Sequence, residues 1–305
     1  MDFIEKCREE ITSDLKRILL THLPRHEAAQ IYRYALLPPG KLFRPLLVRS
    51  MAWDRQDYRR ETHSYLELFV EIHHVYTLVH DDLPCMDDDS MRRGKESTHQ
   101  KFNEWKALLC GDGLNTLSFH ILSLIESPRL PLLFRYVSWA LGPKGLVHGQ
   151  YLDLASKDPS PDKLLRTYKL KTSRLIQTAL VAPSLLSESV PLRALKDLHL
   201  LGEHIGIAFQ LLDDLSELTE ERVSPQELEI NSFLLYQDFC LKELEIRWGK
   251  IEGLLKTYSL SYTRKVLGDY LKGTTHLIAD SDGRLKERMG ENLKVVQEIL
   301  HRLSF

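Results

Sequence analysis

The sequence predicts an all-α protein that folds as one helical bundle with a central active-site cavity. Apolar residues recur with the three- and four-residue spacing of amphipathic helices along most of the 305 residues. Strand-like alternation is nearly absent, and no Pro/Gly/Ser-rich linker marks a domain boundary. We therefore expect a single domain over residues 1–305, with its site among the inward faces of facing helices.

The individual helices follow from the periodic segments and from the residues that interrupt them. Residues 2–21 carry an apolar stripe, and Pro38-Pro39-Gly40 separates them from a second helix over residues 41–53. An apolar run predicts a long helix over residues 64–83 that ends in aspartates. We interpret Gly111-Asp112-Gly113 as a break of the ordinary turn kind. Later helices are expected at 104–126, 130–155, 161–180, 190–218, 225–247 and, with breaks, 248–300.

Composition and charge exclude several classes of function. With 41 basic and 43 acidic residues the net charge is −2, so we expect no nucleic-acid partner and no attraction to a membrane surface. The four cysteines show no CxxC spacing, which is typical of free thiols in a reducing compartment. No apolar stretch approaches the length of a membrane span, and the acidic, amphipathic start resembles no targeting peptide. These features predict a soluble cytoplasmic protein.

The segment over residues 78–95 carries the clearest chemical signal. Five aspartates occur within the nine residues 81–89, directly behind the apolar helix, and Arg92, Arg93 and Lys95 follow them. Clustered carboxylates repel one another unless cations lie among them, and oxygen-only ligands favour hard ions such as Mg²⁺. An adjacent guanidinium pair suits phosphate oxygens. The segment therefore predicts a site for magnesium and a diphosphate.

Helical geometry alone leaves one ligand of this acidic run open. Asp81 and Asp88 lie seven residues apart and share a face of an ideal helix, whereas Asp87 points elsewhere. Pro84 removes an amide donor and kinks or bulges the helix, so the helical wheel does not decide between Asp87 and Asp88. Asp81 and Asp82 are candidates in either case.

The acidic run resembles DDxxxxD, the first aspartate-rich motif of the trans-isoprenyl diphosphate synthases, the family of farnesyl and geranylgeranyl diphosphate synthases. Asp81, Asp82 and Asp87 fall on its acidic positions, which favours Asp87 over Asp88, and residues 92–95 match its trailing RRGK. Three further segments are similar to family signatures: residues 40–45 to GKxxRP, Lys171-Thr172 to a KT pair, and residues 209–217 to the second motif, FQxxDDxxD.

The resemblance implies the isoprenoid synthase type of helical fold and a role for each matching residue. Up to three Mg²⁺ ions are expected on the acidic positions Asp81, Asp82, Asp87, Asp213, Asp214 and Glu217. The allylic diphosphate is expected at Arg92, Lys171, Thr172 and Gln210. Isopentenyl diphosphate is expected at Lys41, Arg44, His74 and Arg93.

The resemblance further implies head-to-tail prenyl transfer, the condensation of isopentenyl diphosphate with an allylic diphosphate, by a homodimer. Tyr76 lies five residues before Asp81, at a position where a large side chain stops growth near C15 in this family. We therefore expect a short-chain, farnesyl-type product, although Tyr76 can equally be a core aromatic without a gating role.

Two alternative functions remain open on the sequence. Glu217 stands where the family has Asp, and residues 218–225 and 229–233 lack the family's Gly-Lys-Asp and Lys-x-Thr-Tyr-Pro segments. These departures motivate a degenerate homologue that binds diphosphates or a partner subunit with little turnover. A class I terpene cyclase ranks third, because Glu217 stands where its Ser/Thr metal ligand belongs and it has no use for Lys41 and Arg44 as a second diphosphate site.

Overall fold

A computed structural model describes residues 3–155, 160–187, 190–219, 231–279, 282–289, 294 and 296–298. These residues form helices and one two-stranded hairpin, so the predicted all-α class is confirmed. By its contacts the chain divides into two compact units, residues 1–133 with 185–187 and residues 134–184 with 188–305. No described helix has both the length and the apolar character required of a membrane span.

The first unit contains a long central helix and the helices that pack around it. Its elements are α1 (Phe3–His22), α2 (Ala29–Leu36), α3 (Phe43–Asp54), α4 (Arg60–Asp81), β1 (Met91–Arg92), β2 (Lys95–Glu96), α5 (Thr98–Phe102), α6 (Glu104–Ser123) and the first turn of α7 (Leu130–Leu141). α4 packs against α3 and α6 and buries Leu66, Phe69 and Ile72 completely. This apolar helix ends at the acidic run, so the fold fixes the backbone from which the aspartates project.

A buried ion-pair cluster ties three helices of the first unit together. Arg49 on α3 donates through Nε and Nη2 to the two carboxylate oxygens of Glu67 on α4, at 2.8 and 2.6 Å. Its Nη1 donates to Glu10 on α1 at 2.7 Å. Arg49 and Glu67 are each 1% exposed, so both charges depend on this bidentate geometry for compensation.

The predicted break at Gly111-Asp112-Gly113 is wrong, because α6 runs through all three residues without interruption. The glycines serve close packing instead of a turn. A Cβ atom at Gly111 would lie 2.0 Å from the His80 ring, whose Nε2 is 3.0 Å from the carbonyl oxygen of Leu108. The absence of a side chain at this position therefore allows α4 and α6 to approach each other.

In the second unit, the described residues form helices joined by turns and short loops, and no strand. Its elements are the rest of α7, α8 (Leu146–Ala155), α9 (Pro161–Lys171), α10 (Ser173–Leu186, except its last two residues), α11 (Leu192–Glu217), α12 (Ser232–Leu235), α13 (Gln237–Thr257), α14 (Ser261–Ala279) and α15 (Asp282–Met289). α11 packs against α9, α13 and α14. Residues 220–230, where several departures from the family pattern fall, lie outside the described residues.

Candidate functional site

The acidic run begins at the last residue of α4 and folds back on it. α4 ends at Asp81, and the amide of Asp87 donates to the Asp81 carbonyl oxygen at 2.9 Å. Asp87 is therefore brought beside Asp81 although the segment between them is not helical. Asp88 takes a positive φ of 53°, and its carboxylate lies 3.9 Å from His99. This backbone contact supports Asp87 over Asp88, and the ligand role of Asp87 stays a prediction.

Asp82 is buried and engaged by Arg92. It is 2% exposed, and its Oδ1 accepts from Nε and Nη2 of Arg92 at 2.8 and 2.5 Å. Arg92 also contacts the Asp89 carboxylate. Burial raises the pKa of Asp82, while the Arg92 guanidinium opposes that rise. Two residues expected to act separately, on metal and on diphosphate, are thus joined in one ion pair.

A tight hairpin places the side chains of Arg92 and Arg93 against different neighbours, Asp82 and Glu71. Arg92 pairs with Lys95 across the β1–β2 ladder, which leaves Arg93 and Gly94 as a two-residue turn with φ values of 53° and 75°. Positive φ at both positions is the geometry of a type I′ hairpin turn, and Gly94 adopts it without strain. Lys95 anchors the hairpin by donating from Nζ to the carbonyl oxygens of Tyr34 and Leu37, at 2.5 and 3.0 Å.

Three segments predicted to bind isopentenyl diphosphate meet in the first unit. His74 on α4 is half-buried, and burial together with the neighbouring Arg44, Arg93 and Arg92 guanidinium groups holds its pKa well below the ordinary value. His74 is therefore neutral and able to donate or accept a hydrogen bond beside fixed cations. Lys41 precedes α3 and is exposed, with its carbonyl oxygen accepting from Arg8 Nε at 3.3 Å.

Tyr76 occupies the interior of the first unit. It is 8% exposed and makes edge contacts with the rings of His73 and His80, with centroids 4.5 and 5.8 Å away. Burial and the nearby Asp81 carboxylate raise its pKa to about 12, so the hydroxyl stays protonated. The ring fills space one to two turns below Asp81, where the sequence predicts a chain-length gate.

The second acidic motif lies at the end of α11 and separates into exposed and buried carboxylates. Asp213 and Glu217 are exposed, and they share one face of the helix because they lie four residues apart. Asp214 is 7% exposed: its Oδ2 accepts from the Tyr168 and Ser232 hydroxyls, and its Oδ1 from Gln210 Nε2 at 3.0 Å. Burial raises the pKa of Asp214 to about 6. Its metal-ligand role stays a prediction.

The KT pair is held by neighbours on two other helices. Lys171 Nζ donates to Asp153 Oδ2 on α8 at 2.5 Å, and Thr172 Oγ1 donates to Gln210 Oε1 on α11 at 2.8 Å. A Cβ atom at Gly149 would lie 2.2 Å from the Lys171 amide nitrogen, so this glycine sets the spacing of α8 and α9. The structure brings Thr172, Gln210 and Asp214 into one hydrogen-bonded chain.

Sequence reasoning missed several residues that support these groups. Asn231 donates from Nδ2 to the Asp214 carbonyl oxygen at 2.8 Å and to Glu217 Oε2 at 3.4 Å. Ser232 bonds the Asp214 carboxylate at 2.5 Å. Both lie in a segment that departs from the family pattern, so no motif drew attention to them. No motif included Asp153 either, which lies within the predicted helix over residues 130–155.

The donor chemistry of both acidic motifs fits magnesium. Among the described residues, no three His, Cys, Asp or Glu side chains are gathered as one metal-binding group. Mg²⁺ is usually held by one or two carboxylates together with phosphate oxygens and water, and it does not require an all-protein cage. Asp213 and Glu217, which are exposed on one helix face, meet this requirement, as do exposed Asp87 and half-exposed Asp81.

The chain matches one family model and many characterised proteins. A model described as Polyprenyl synthetase matches residues 25–226. The chain is 36% identical over 231 residues to the farnesyl diphosphate synthase of Escherichia coli strain K12, covering 72% of this chain and 76% of that one. It is 35% identical over 221 residues to the geranylgeranyl diphosphate synthase of Pseudescherichia vulneris, covering 70% and 71%. A solved geranyltransferase from Legionella pneumophila aligns with a TM-score of 0.75 at 27% identity, covering 92% and 96%.

Proposed function

Because the chain belongs to the polyprenyl synthetase family, we propose that it condenses isopentenyl diphosphate with an allylic diphosphate to give C15 farnesyl diphosphate. The class of reaction, prenyl transfer, is shared by the farnesyl and geranylgeranyl diphosphate synthases that it resembles. One observation carries the proposal for this chain. Arg44, His74 and Arg93, from three separate segments, form a basic cluster in the unit that carries the first acidic run.

The reaction breaks the C–O bond of the allylic diphosphate and forms a C–C bond to the terminal alkene carbon of isopentenyl diphosphate. Magnesium, when bound, supplies positive charge that makes the diphosphate a better leaving group. We assign its ligands, for up to three ions, to the acidic positions with exposed or half-exposed carboxylates. These are Asp81, Asp87, Asp213 and Glu217.

Two cations are proposed to bind the departing diphosphate, and each is oriented by a carboxylate in the structure. Arg92 is held by Asp82, and Lys171 by Asp153. Fixed cations stabilise charge that develops on the leaving oxygen, and they reorganise little during the reaction. We therefore propose that the main role of Asp82 is to position Arg92, and the ligand role that the motif implies stays a prediction. Buried Asp214 and Thr172 are likewise linked by hydrogen bonds through half-buried Gln210 on α11.

The basic cluster is proposed to bind isopentenyl diphosphate. Arg44 and Arg93 supply charge, neutral His74 supplies a hydrogen bond, and exposed Lys41 completes the set. After C–C bond formation, one proton is lost to an oxygen of the departing pyrophosphate. No side chain is therefore assigned as a general base.

A turnover assay tests this function against the alternative of a degenerate homologue. Purified protein is incubated with Mg²⁺, isopentenyl diphosphate and either dimethylallyl or geranyl diphosphate, and the prenyl products are separated by chain length. We expect turnover that EDTA abolishes and added Mg²⁺ restores. Absence of a condensation product with both allylic substrates would contradict the proposal and favour the diphosphate-binding homologue. A cyclised hydrocarbon made from farnesyl diphosphate would favour a terpene cyclase.

The C15 product is proposed from the position and size of Tyr76. The ring is buried below Asp81, so a growing chain that descends from the diphosphate would meet it. Tyr76→Ala is expected to shift the product toward C20, whereas Tyr76→Phe keeps the ring and is expected to keep C15. An unchanged product distribution in Tyr76→Ala would exclude a gate at this position.

We propose a second copy of the chain as the protein partner. α6 exposes Trp105, Leu108 and Leu109 by 60%, 47% and 55% on one face. Trp105 and Leu109 also border an open cavity of about 310 Å³, together with Tyr32 and Phe102. Contiguous apolar surface of this kind marks interaction sites. Light scattering on the wild type is expected to give a dimer and on Leu109→Asp a monomer. A monomeric wild type would contradict the proposal.

We propose the cytoplasm as the compartment. None of the four cysteines forms a disulfide, and Cys7, Cys110 and Cys240 are buried as free thiols. Reduced thiols are typical of cytoplasmic proteins. Localisation of a fluorescent fusion tests this, and a signal confined to another compartment would contradict it.

A further inference from the structure

Glu71 is a buried carboxylate that the proposed chemistry does not use. It lies on α4, one turn before His74, and is 2% exposed. Its Oε1 is 3.7 Å from Nη2 of Arg93, and this oxygen has no hydrogen-bond partner among the described residues. Burial raises the pKa of Glu71, and the guanidinium groups of Arg93 and Arg44 oppose that rise.

A carboxylate in this environment is costly unless cations compensate it. Removal from water disfavours the charged form, and a loose contact at 3.7 Å offsets only part of that cost. The neighbouring cations are the arginines assigned to isopentenyl diphosphate. Two guanidinium groups that converge on one ligand repel each other, and a fixed negative charge beside them offsets the repulsion. Glu71 therefore lies where its negative charge affects the arrangement of the Arg93 and Arg44 guanidinium groups.

Gly40 confines Arg93 from a second direction. A Cβ atom at Gly40 would lie 3.0 Å from both Cζ and Nε of Arg93, so the guanidinium rests directly on the glycine backbone. The side chain starts from a positive-φ turn residue and is limited by Gly40 and Glu71. Its position is thus set by three separate features of the first unit.

We infer that Glu71 is a positioning residue for the isopentenyl diphosphate site, acting through the guanidinium groups of Arg93 and Arg44. The inference rests on the proposed prenyl transfer and deepens it. Glu71 does not contact substrate in this scheme. Its carboxylate keeps two cations oriented toward one diphosphate, which preorganises the site before the substrate binds.

Removing the Glu71 charge has two opposing effects on diphosphate binding, so the direction in which the KM changes shows which effect is larger. Loss of the carboxylate increases the net positive charge and, by itself, strengthens attraction for a diphosphate. Loss of the carboxylate also frees the arginines, so binding must then order them again. We expect orientation to dominate, because Glu71 is buried and its charge acts mainly on the adjacent guanidinium groups.

The test is Glu71→Gln, which keeps the size of the side chain and removes its charge. We expect the KM for isopentenyl diphosphate to rise about tenfold, with the KM for the allylic substrate changed by less than about twofold. Glu67→Gln is the matched control, because Glu67 lies on the same helix one turn earlier, is 1% exposed and pairs with Arg49. The control is expected to lose stability and to keep both KM values. An unchanged or lower KM for isopentenyl diphosphate in Glu71→Gln would overturn the inference.

Two further variants separate positioning from a general structural effect. Gly40→Ala displaces the Arg93 guanidinium from its other side at little cost in stability, since the close contact is with the far end of a flexible side chain. The same selective rise in KM is expected. An unchanged KM in Gly40→Ala would overturn the inference even if Glu71→Gln does not fold, because positioning through Arg93 requires that the placement of its guanidinium matters. In the double variant Glu71→Gln/Arg93→Gln, the KM should rise by less than the product of the two single-variant effects, because only the part of the Glu71 effect that runs through Arg44 remains. Fully multiplicative effects on KM would show that Glu71 does not act through Arg93.

A binding measurement keeps this inference separate from the proposed function. If the wild type shows no turnover, prenyl transfer fails as a function. The role of Glu71 is then decided by titration calorimetry with inorganic pyrophosphate in the absence of magnesium. Weaker binding to Glu71→Gln than to the wild type supports positioning of the cations, and equal affinities overturn it.

Discussion

Arg92 directs both Nε and Nη2 to a single oxygen of Asp82, at 2.8 and 2.5 Å, and Asp82 is 2% exposed. The second aspartate of the first motif therefore has a cation as its immediate neighbour. Asp81, at the last residue of α4, is half-exposed beside it. Two adjacent aspartates thus have different environments, and we expect different consequences when each is replaced.

Asp82→Asn is expected to lower kcat about tenfold while changing the magnesium requirement little. The amide keeps an acceptor for Arg92 but loses the charge-assisted bond, whose contribution is about 1.5–3 kcal/mol. Asp81→Asn is expected to raise the magnesium concentration needed for half-maximal rate. Activity titrated with Mg²⁺ in both variants makes the comparison. An equal rise in the magnesium requirement of both variants would show that Asp82 is a metal ligand.

Gly149→Ala is expected to destabilise the protein and to weaken allylic substrate binding. The new methyl group would lie 2.2 Å from the backbone nitrogen of Lys171, so α8 and α9 must separate, at a cost of about 1–3 kcal/mol. Gly249→Ala is the control: Gly249 is exposed inside α13 with no atom within 4 Å of the added Cβ, and alanine there should gain about 1 kcal/mol. Urea unfolding measures the change in unfolding free energy, and we expect a loss for Gly149→Ala and a gain for Gly249→Ala. A Gly149→Ala protein more stable than the wild type would contradict the packing argument.

Helices and linear motifs were predictable because both are local properties of the sequence. The 3.6-residue periodicity gave α4 within four residues at its start and two at its end, and the four-residue spacing of Asp213 and Glu217 gave their shared helix face. The predicted helix over residues 130–155 is two helices, α7 and α8, and that over 161–180 is divided at Thr172 into α9 and α10. The short α2 and the β1–β2 hairpin were missed, because segments of these lengths carry too little periodicity.

The burial of individual polar groups could not be predicted from the sequence. Asp213 and Asp214 are adjacent in one motif, yet one is exposed and the other accepts bonds from Tyr168 and Ser232, 46 and 18 residues away. The same limit applies to Glu71. Its place on α4 follows from helical periodicity, but the arginines beside it come from other segments of the chain, and periodicity does not reveal them. Tertiary contacts decide which members of a motif face solvent.

Tyr168→Phe is expected to destabilise the protein by about 1–3 kcal/mol, because the buried Oδ2 of the Asp214 carboxylate loses one of its two hydroxyl donors and keeps only Ser232. Tyr258→Phe removes a hydroxyl bond of the same kind, to Asp197 at 2.5 Å, from a less buried site. This control should cost under about 1 kcal/mol, because water replaces the lost partner. Urea unfolding measures the loss of unfolding free energy in both variants. Equal losses would contradict the argument that burial makes the hydrogen bond to Asp214 the more important one.

His73 is expected to make the protein sensitive to mild acid. The side chain is 2% exposed among Phe69, Tyr76 and Phe119, with Nδ1 3.1 Å from Ser118 Oγ. Burial lowers its pKa to about 3 from an ordinary value of 6.5. The unfolded chain therefore binds a proton in this interval that the folded chain does not, and stability falls as the pH drops below 6.5, by about 1.4 kcal/mol per pH unit for this group.

His73→Gln removes this titration and keeps a polar group near Ser118, so its stability is expected to fall less on acidification than that of the wild type. Urea unfolding at pH 7.5 and pH 5.0 measures the difference for each protein. Because other buried histidines contribute equally to both proteins, the comparison isolates His73. A parallel loss of stability in the wild type and His73→Gln would mean that His73 accepts a proton without unfolding.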